Sequence, residues 1–262
     1  DKDITRVHIN EISNLVIEST EVSLTVALLS ELAKAKVKII FCDDKRNPCS
    51  ELIGYYGSYD TSSKVREQIQ WTKASKGSVW TEIVTAKIRN QANVLKKFNR
   101  EQYKLLEQYL TEIEYYDTTN REGHAAKVYF NALLGKDFSR ADTNPINAAL
   151  NYGYSFLLSA CNREIVANGY ITQLGIFHDN VHNQFNFGSD LMEPFRAFID
   201  KFVYQLHIGN MLETFSVDEK HKMLEVLQEE VLLDGKKYHL DYALKIYCHS
   251  IFDALSDNEI DN

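Results

Sequence analysis

Proline is scarce, with three in 262 residues, so little interrupts long helices. No apolar run reaches the roughly 18 residues that a membrane-spanning helix needs. The start, DKDITRVHIN, lacks the basic-then-apolar pattern of a secretory signal, and a cytoplasmic protein is expected. It also lacks an initiator Met, which suggests a trimmed or partly ordered chain. The four cysteines, Cys42, Cys49, Cys161 and Cys248, form no CxxC pair; free thiols fit them better than a disulfide or zinc site. GxxxxGK[ST], GxGxxG, a nucleophile elbow and HExxH are all missing, which removes the common phosphate-cradling, hydrolase and zinc-protease signatures.

What is present is ordinary for a globular protein: 44% hydrophobic and 25% charged residues. The net charge of −8 argues against a surface that binds nucleic acid everywhere, but distribution matters more than the sum. Lys64 to Lys104 holds ten basic residues (Lys64, Arg66, Lys73, Lys76, Lys87, Arg89, Lys96, Lys97, Arg100, Lys104) against three acids. That span is either a DNA-tracking stripe or a solvated helix face.

Residues 1–60 read as β-rich and 61–262 as helical, an α+β chain of two domains. TRVHI (5–9), NLVIES (14–19), VKIIFCD (37–43) and ELIGYYGS (51–58) have strand patterns; Val22–Lys36 has helical spacing. This segment is thin for an independent sheet. SYDTSS (58–63) is the linker. Beyond it one long helix is expected from Lys64, weakened at Gly77, then a second over 101–116. Thr119-Asn120-Arg121-Glu122 fits a capping box opening a third. Asn144-Pro145 opens a fourth that stops at Gly169. HDNVHNQFNFGS (178–189) reads as a loop, and Asp190 as the N-cap of a fifth helix running to Ile208. Ser216–Glu219 is a second capping box, and 239–255 a seventh helix.

Three polar residues stand out: Glu122, His178 and Glu193. Glu122 lines up on a helical wheel with Ala126, Tyr129 and Leu133, so its carboxylate faces inward, which is unfavourable unless it is paired, protonated or metal-bound. If nothing compensates it, its removal would raise the melting temperature. A plain N3 capping role also fits. His178 has His182 nearby, but the Asn, Asp and Gly around them argue for a loop. Glu193 falls opposite the stripe Leu191, Phe195, Phe198, Phe202, where a solvated face explains it equally well.

At these residues the chain resembles a known family. EGHAAKVYF, NPINAALNYGYSFLL, GIFHDN and SDLMEPFRAFID, with VSLTVALLSELAKAKVKIIFCDDKRNP upstream, closely resemble the CRISPR-associated integrase that inserts new spacers into CRISPR arrays, in a flavour most like type II-A. The resemblance spans nearly the whole chain. It implies an N-terminal β-sandwich-like domain, whose first strands are missing here, before a larger all-α catalytic domain. It implies Glu122, His178 and Glu193 as catalytic metal ligands, Glu193 replacing the more usual Asp, with Asp190 behind them. Mg²⁺ or Mn²⁺ suits that donor set. The implied partners are double-stranded DNA (prespacer and CRISPR repeat) and a second copy of the chain. A small ferredoxin-like adaptation partner would bridge two dimers, and in type II-A the effector nuclease would help choose DNA. The expected chemistry is strand transfer by a DNA 3′-hydroxyl. The alternatives are a general metal-dependent endonuclease and a non-catalytic helical scaffold.

Overall fold

The computed structural model describes residues 5–12, 14–44, 46–52, 54, 58–233 and 235–256. The N-terminal part is a three-stranded sheet in the order β1 (Asn14–Ile17), β2 (Lys38–Cys42), β3 (Pro48–Leu52). β1 runs parallel to β2, with Leu15 opposite Ile39; β3 is antiparallel, with Leu52 opposite Ile39. Helix α1 (Val26–Lys34), capped by the Thr25 hydroxyl on Leu28 N at 3.2 Å, joins β1 to β2. Successive residues of β2 serve two cores, as a two-residue repeat requires. Ile39 packs with Ile17, Leu32 and Val37, whereas Ile40 joins the helical core.

TRVHI forms no strand: its described residues are irregular and lead into a 3₁₀ turn, Ile9–Glu11, capped by His8. The expected strand over 51–58 is met by β3 at residues 51 and 52; residues 53 and 55–57 lie outside those described. The sandwich expected at this end is one sheet among the described residues.

The helical part is built on α3 (Lys73–Lys97) and α6 (Pro145–Ala167). Both are buried over much of their length, α3 through Trp80, Ile83, Val84, Ile88 and Leu95. The helix expected to run unbroken from Lys64 is two. α2 (Thr61–Gln70) ends where Trp71 leaves helical geometry and buries its ring 5.4 Å from both Tyr170 and Phe187. Thr72 then caps α3, accepting from Ser75 N at 3.0 Å. Gly77, the expected weak point, lies inside α3, where the Tyr115 ring packs against its bare Cα.

α4 (Tyr103–Leu110) is shorter than 101–116. α5 (Arg121–Leu134) buries Ala125, Tyr129 and Leu133. The helix expected from Asp190 to Ile208 is divided at Pro194, which has no N–H to give: α7 (Asn186–Met192), a 3₁₀ turn (Glu193–Phe195) and α8 (Arg196–Ile208). α9 (Val217–Leu224) carries the expected capping box, with Ser216 N donating to Glu219 at 2.8 Å. The helical region also holds an antiparallel hairpin, β4 (Glu230–Leu233) and β5 (Lys236–His239), before α10 (Leu240–Ser256). Architecturally the chain is α+β, a small β part ahead of a larger helical one.

Candidate metal centre

Glu122 enters the site from the first turn of α5. The expected capping box does not form there. Asn120, at φ 52°, is the N-cap and accepts from Gly123 N at 3.3 Å. The Asp117 carboxylate takes the N–H groups of Arg121 and Glu122 at 2.8 and 3.0 Å. With the helix start satisfied by Asp117 and Asn120, the Glu122 carboxylate has no capping duty. It reaches the ammonium of Lys87 instead, 2.5 Å from Oε1.

Glu193 reaches the same ammonium, its Oε2 also at 2.5 Å, while its Oε1 accepts from Arg196 Nε at 2.9 Å. The solvated-face reading of Glu193 is wrong. The Pro194 turn rotates it inward and leaves it 4% exposed. Burial alone would raise its pKa, but the Lys87 and Arg196 charges outweigh burial and hold the carboxyl below its ordinary range. Burial pulls the Lys87 ammonium down likewise, and Glu193 and Glu122 together lift it above the usual lysine value.

His178 lies on the irregular segment between α6 and α7, half-buried beside Trp80 and Phe177; those two rings stack at 4.3 Å. Asp190 is no N-cap. It sits inside α7, wholly buried, and Oδ2 accepts from the backbone of Ile176 (2.6 Å) and Phe177 (3.1 Å). Oδ1 accepts from His178 N at 3.1 Å and lies 2.5 Å from His178 Nδ1. That hydrogen bond, opposed by burial and aided by the charges of Asp190, Glu193 and Glu122, raises the imidazole above its ordinary pKa. With Nδ1 on a carboxylate, the tautomer that leaves the Nε2 lone pair for a cation is favoured. His182 is exposed and stands apart from this arrangement.

The structure thus brings Glu122 and Glu193 together on one cation and puts His178 within their field. It does not close the three into a ligand cluster: among the described residues no three His, Cys, Asp or Glu side chains stand close enough to share a metal ion. The donor set still fits a hard divalent ion, because two carboxylates converge on a single positive charge and the imidazole is oriented by a buried carboxylate.

Sequence reasoning gives Lys87 and Arg196 no part in the site. The signal for Lys87 exists: it is four residues after Ile83 and falls on the buried stripe of α3 with Val84, Ile88 and Gln91. Beside Lys87 is a cavity of about 120 Å³, lined among others by Gln91, Arg140, Tyr154, Arg196 and Asp200. Tyr154 donates to Asp200, and the Arg196 guanidinium lies 4.6 Å from the Tyr154 ring centre.

The family model for CRISPR associated protein Cas1 matches residues 1–233. The chain belongs to the Cas1 family. The CRISPR-associated endonuclease Cas1 of Neisseria meningitidis serogroup C is 32% identical over 234 residues, covering 88% of this chain and 77% of the relative. Among solved structures, a casposase bound to integration product superposes with a TM-score of 0.61 at 20% identity, covering 96% of this chain and 87% of that one. A partial Cas6-RT-Cas1–Cas2 complex gives 0.66 at 16% identity, covering 94% and 85%. At those identities the two structures carry the fold.

Proposed function

We propose that Glu122, His178 and Glu193 bind one divalent ion, Mg²⁺ or Mn²⁺. The observation that carries this is the convergence of Glu122 and Glu193 on a single cationic point, 2.5 Å from each, beside an imidazole anchored by Asp190. The chain is a CRISPR adaptation integrase and endonuclease of the Cas1 family. When bound, the ion supplies Lewis-acid polarisation of a phosphodiester.

The chain's own residues do the rest. Asp190 fixes the imidazole and the loop bearing it. Arg196 holds Glu193 ionised. No side-chain nucleophile is required, since in strand transfer the 3′-hydroxyl of prespacer DNA attacks, and one phosphodiester is exchanged for another without ATP. With water as nucleophile the same residues serve an endonuclease, the activity named for the Neisseria relative.

The assembly we propose is a homodimer, paired through a β-rich unit over residues 1–60 and catalysing through 61–262. The ferredoxin-like partner would bridge two such dimers on double-stranded DNA in the cytoplasm. The neighbours that are Cas1–Cas2 complexes and a DNA-bound casposase support this reading. No helix among the described residues is long and apolar enough to cross a membrane. The type II-A affiliation rests on the motifs.

The deciding experiment incubates purified chain, partner, labelled prespacer and a supercoiled repeat-bearing target with Mn²⁺ or Mg²⁺. Branched, larger-than-input products at the repeat borders are expected, and lost in Glu122→Ala, His178→Ala and Glu193→Ala. Only shortened fragments, with or without partner, would leave a nuclease; no product of either kind would leave a scaffold, and full activity of Glu122→Ala would sink the metal assignment.

A further inference from the structure

Lys87 is the group that both bridges the two carboxylates and borders the cavity beside them. The bridge has a clear electrostatic role. Two carboxylates this close would otherwise repel until one took a proton; an ammonium between them keeps both ionised and converged. A divalent ion claiming the same oxygens cannot share them with that ammonium, because the two positive charges would meet at contact distance. Lys87 must then have another place to go.

The structure contains one. Gln91 is one turn further along α3, so it shares the face of Lys87. Its Oε1 is buried and has no hydrogen-bond partner among the described residues. Gln91 is 3% exposed and lines the cavity. Native interiors seldom leave a buried acceptor unmade, and each such atom asks for an explanation. The cavity, about 120 Å³, has room for an ammonium and its solvation, since a water occupies about 30 Å³ of liquid. Asp200, on the same wall, adds a second acceptor. The long, flexible stem of a lysine lets one residue serve two positions.

We propose that Lys87 is a positioning residue with two stations. In the metal-free chain it bridges Glu122 and Glu193; when a divalent ion takes those oxygens, the ammonium moves into the cavity onto Gln91 Oε1. This rests on the metal assignment above. It makes metal loading an exchange of cations, and makes Gln91 a determinant of metal affinity that touches no metal.

The test is calorimetric titration of the full chain with Mn²⁺ at fixed pH and salt, with melting recorded by circular dichroism. Lys87→Met, which removes the competitor, should bind Mn²⁺ about tenfold more tightly, and Gln91→Leu, which removes the second station, about tenfold more weakly, the scale of one hydrogen bond to a charged group. Gln91→Leu should melt no lower than the parent, since it deletes an unsatisfied atom. Unchanged affinity in Gln91→Leu overturns the two stations, and decides alone if Lys87→Met does not fold. So does a Lys87→Met that folds and binds no more tightly. Glu122→Ala separates the two readings. If it leaves Mn²⁺ affinity at the parent value, the metal assignment itself fails and this proposal falls with it. If it abolishes binding, the behaviour of Lys87 and Gln91 is judged on its own.

Discussion

His178 and Asp190 are tied twice: Nδ1 of the imidazole lies 2.5 Å from Oδ1, and the backbone N–H of His178 donates to the same oxygen at 3.1 Å. The carboxylate therefore sets both the ring and the chain that bears it. Asp190→Asn keeps the shape but loses the charge. The His178 pKa, read by NMR, should fall towards the ordinary histidine value. Strand transfer should drop about 10- to 100-fold, the usual effect of losing the group behind a metal-bound histidine. An unmoved His178 titration would show that Asp190 does not govern the ring.

Glu122 is not uncompensated, so the expectation that its removal raises the melting temperature is corrected. Its carboxylate meets the Lys87 ammonium, and half of that bridge is lost in Glu122→Ala. Lys87 keeps Glu193, so the loss should be about 1–2 kcal/mol. Glu193→Ala should cost more, about 3–5 kcal/mol, because it strips buried Lys87 and partly exposed Arg196 of a shared partner. Urea unfolding of the two variants checks the order.

Asp200 gives a pH test away from the proposed ligands. Burial raises its carboxyl to about 6, against the pull of the Tyr154 hydroxyl. An unfolded aspartate titrates near 3.9. Between those values the native chain holds a proton that the unfolded chain has released, so stability falls as pH rises from about 4 to about 6. The size is roughly 3 kcal/mol at most. Asp200→Asn should gain on the parent by that order between pH 4 and 7 in paired urea titrations. A constant difference across that range would refute the assignment.

Two helix glycines should respond unequally to alanine. At Gly153 a Cβ would lie 2.5 Å from Ile199 Cγ2 and 2.8 Å from Met223 Cε, inside the core, so Gly153→Ala should cost about 1–3 kcal/mol despite better helix propensity. At Gly77 the obstacle is the Tyr115 hydroxyl, the far end of a side chain that is exposed and can swing away. The two Tyr115 hydrogen bonds to the carbonyls of Lys73 and Ala74 would be traded for about 1 kcal/mol of propensity, leaving Gly77→Ala near neutral. Thermal melts of both variants decide.

The basic span is smaller as a DNA surface than its sequence suggests. Lys87 is buried in the site, Lys76 donates to the Gly175 carbonyl and Arg100 to the Tyr204 hydroxyl, and Lys64, Lys96 and Lys104 pair with Glu67, Glu107 and Glu101. Arg66, Lys73, Arg89 and Lys97 are exposed without an ion-pair partner among the described residues. Reversing charge at these four should weaken DNA binding and flatten its dependence on log salt by roughly 0.9 for each phosphate left unneutralised. Unchanged slopes would return the span to a solvated face.

The helices are legible where a single residue marks an end: Pro145 opens α6 and Ser216 opens α9 in structure as in sequence. Ends set by tertiary packing are not. Nothing local in Trp71-Thr72 says that the indole will leave the helix for Tyr170 and Phe187. The hairpin before α10 escapes sequence reading too, because its second strand, Lys236–His239, carries a single apolar side chain, Tyr238. In the site, the inward aim of Glu122 is readable from its wheel position. The role of Asp190 is not, because it depends on N–H groups 12 to 14 residues away. Nor is the burial of Glu193, which follows from the Pro194 turn.

The Lys87 bridge joins segments 35 and 106 residues apart in the chain. It acts as a clasp across α3, the start of α5 and the turn before α8. Those elements should then open as one unit under native conditions, their slowest amide protons exchanging with a common free energy. The proposed ligands would then also close a cooperative unit, so in the ion-free chain a loss of the bridge should register as a shorter lifetime of the whole fold.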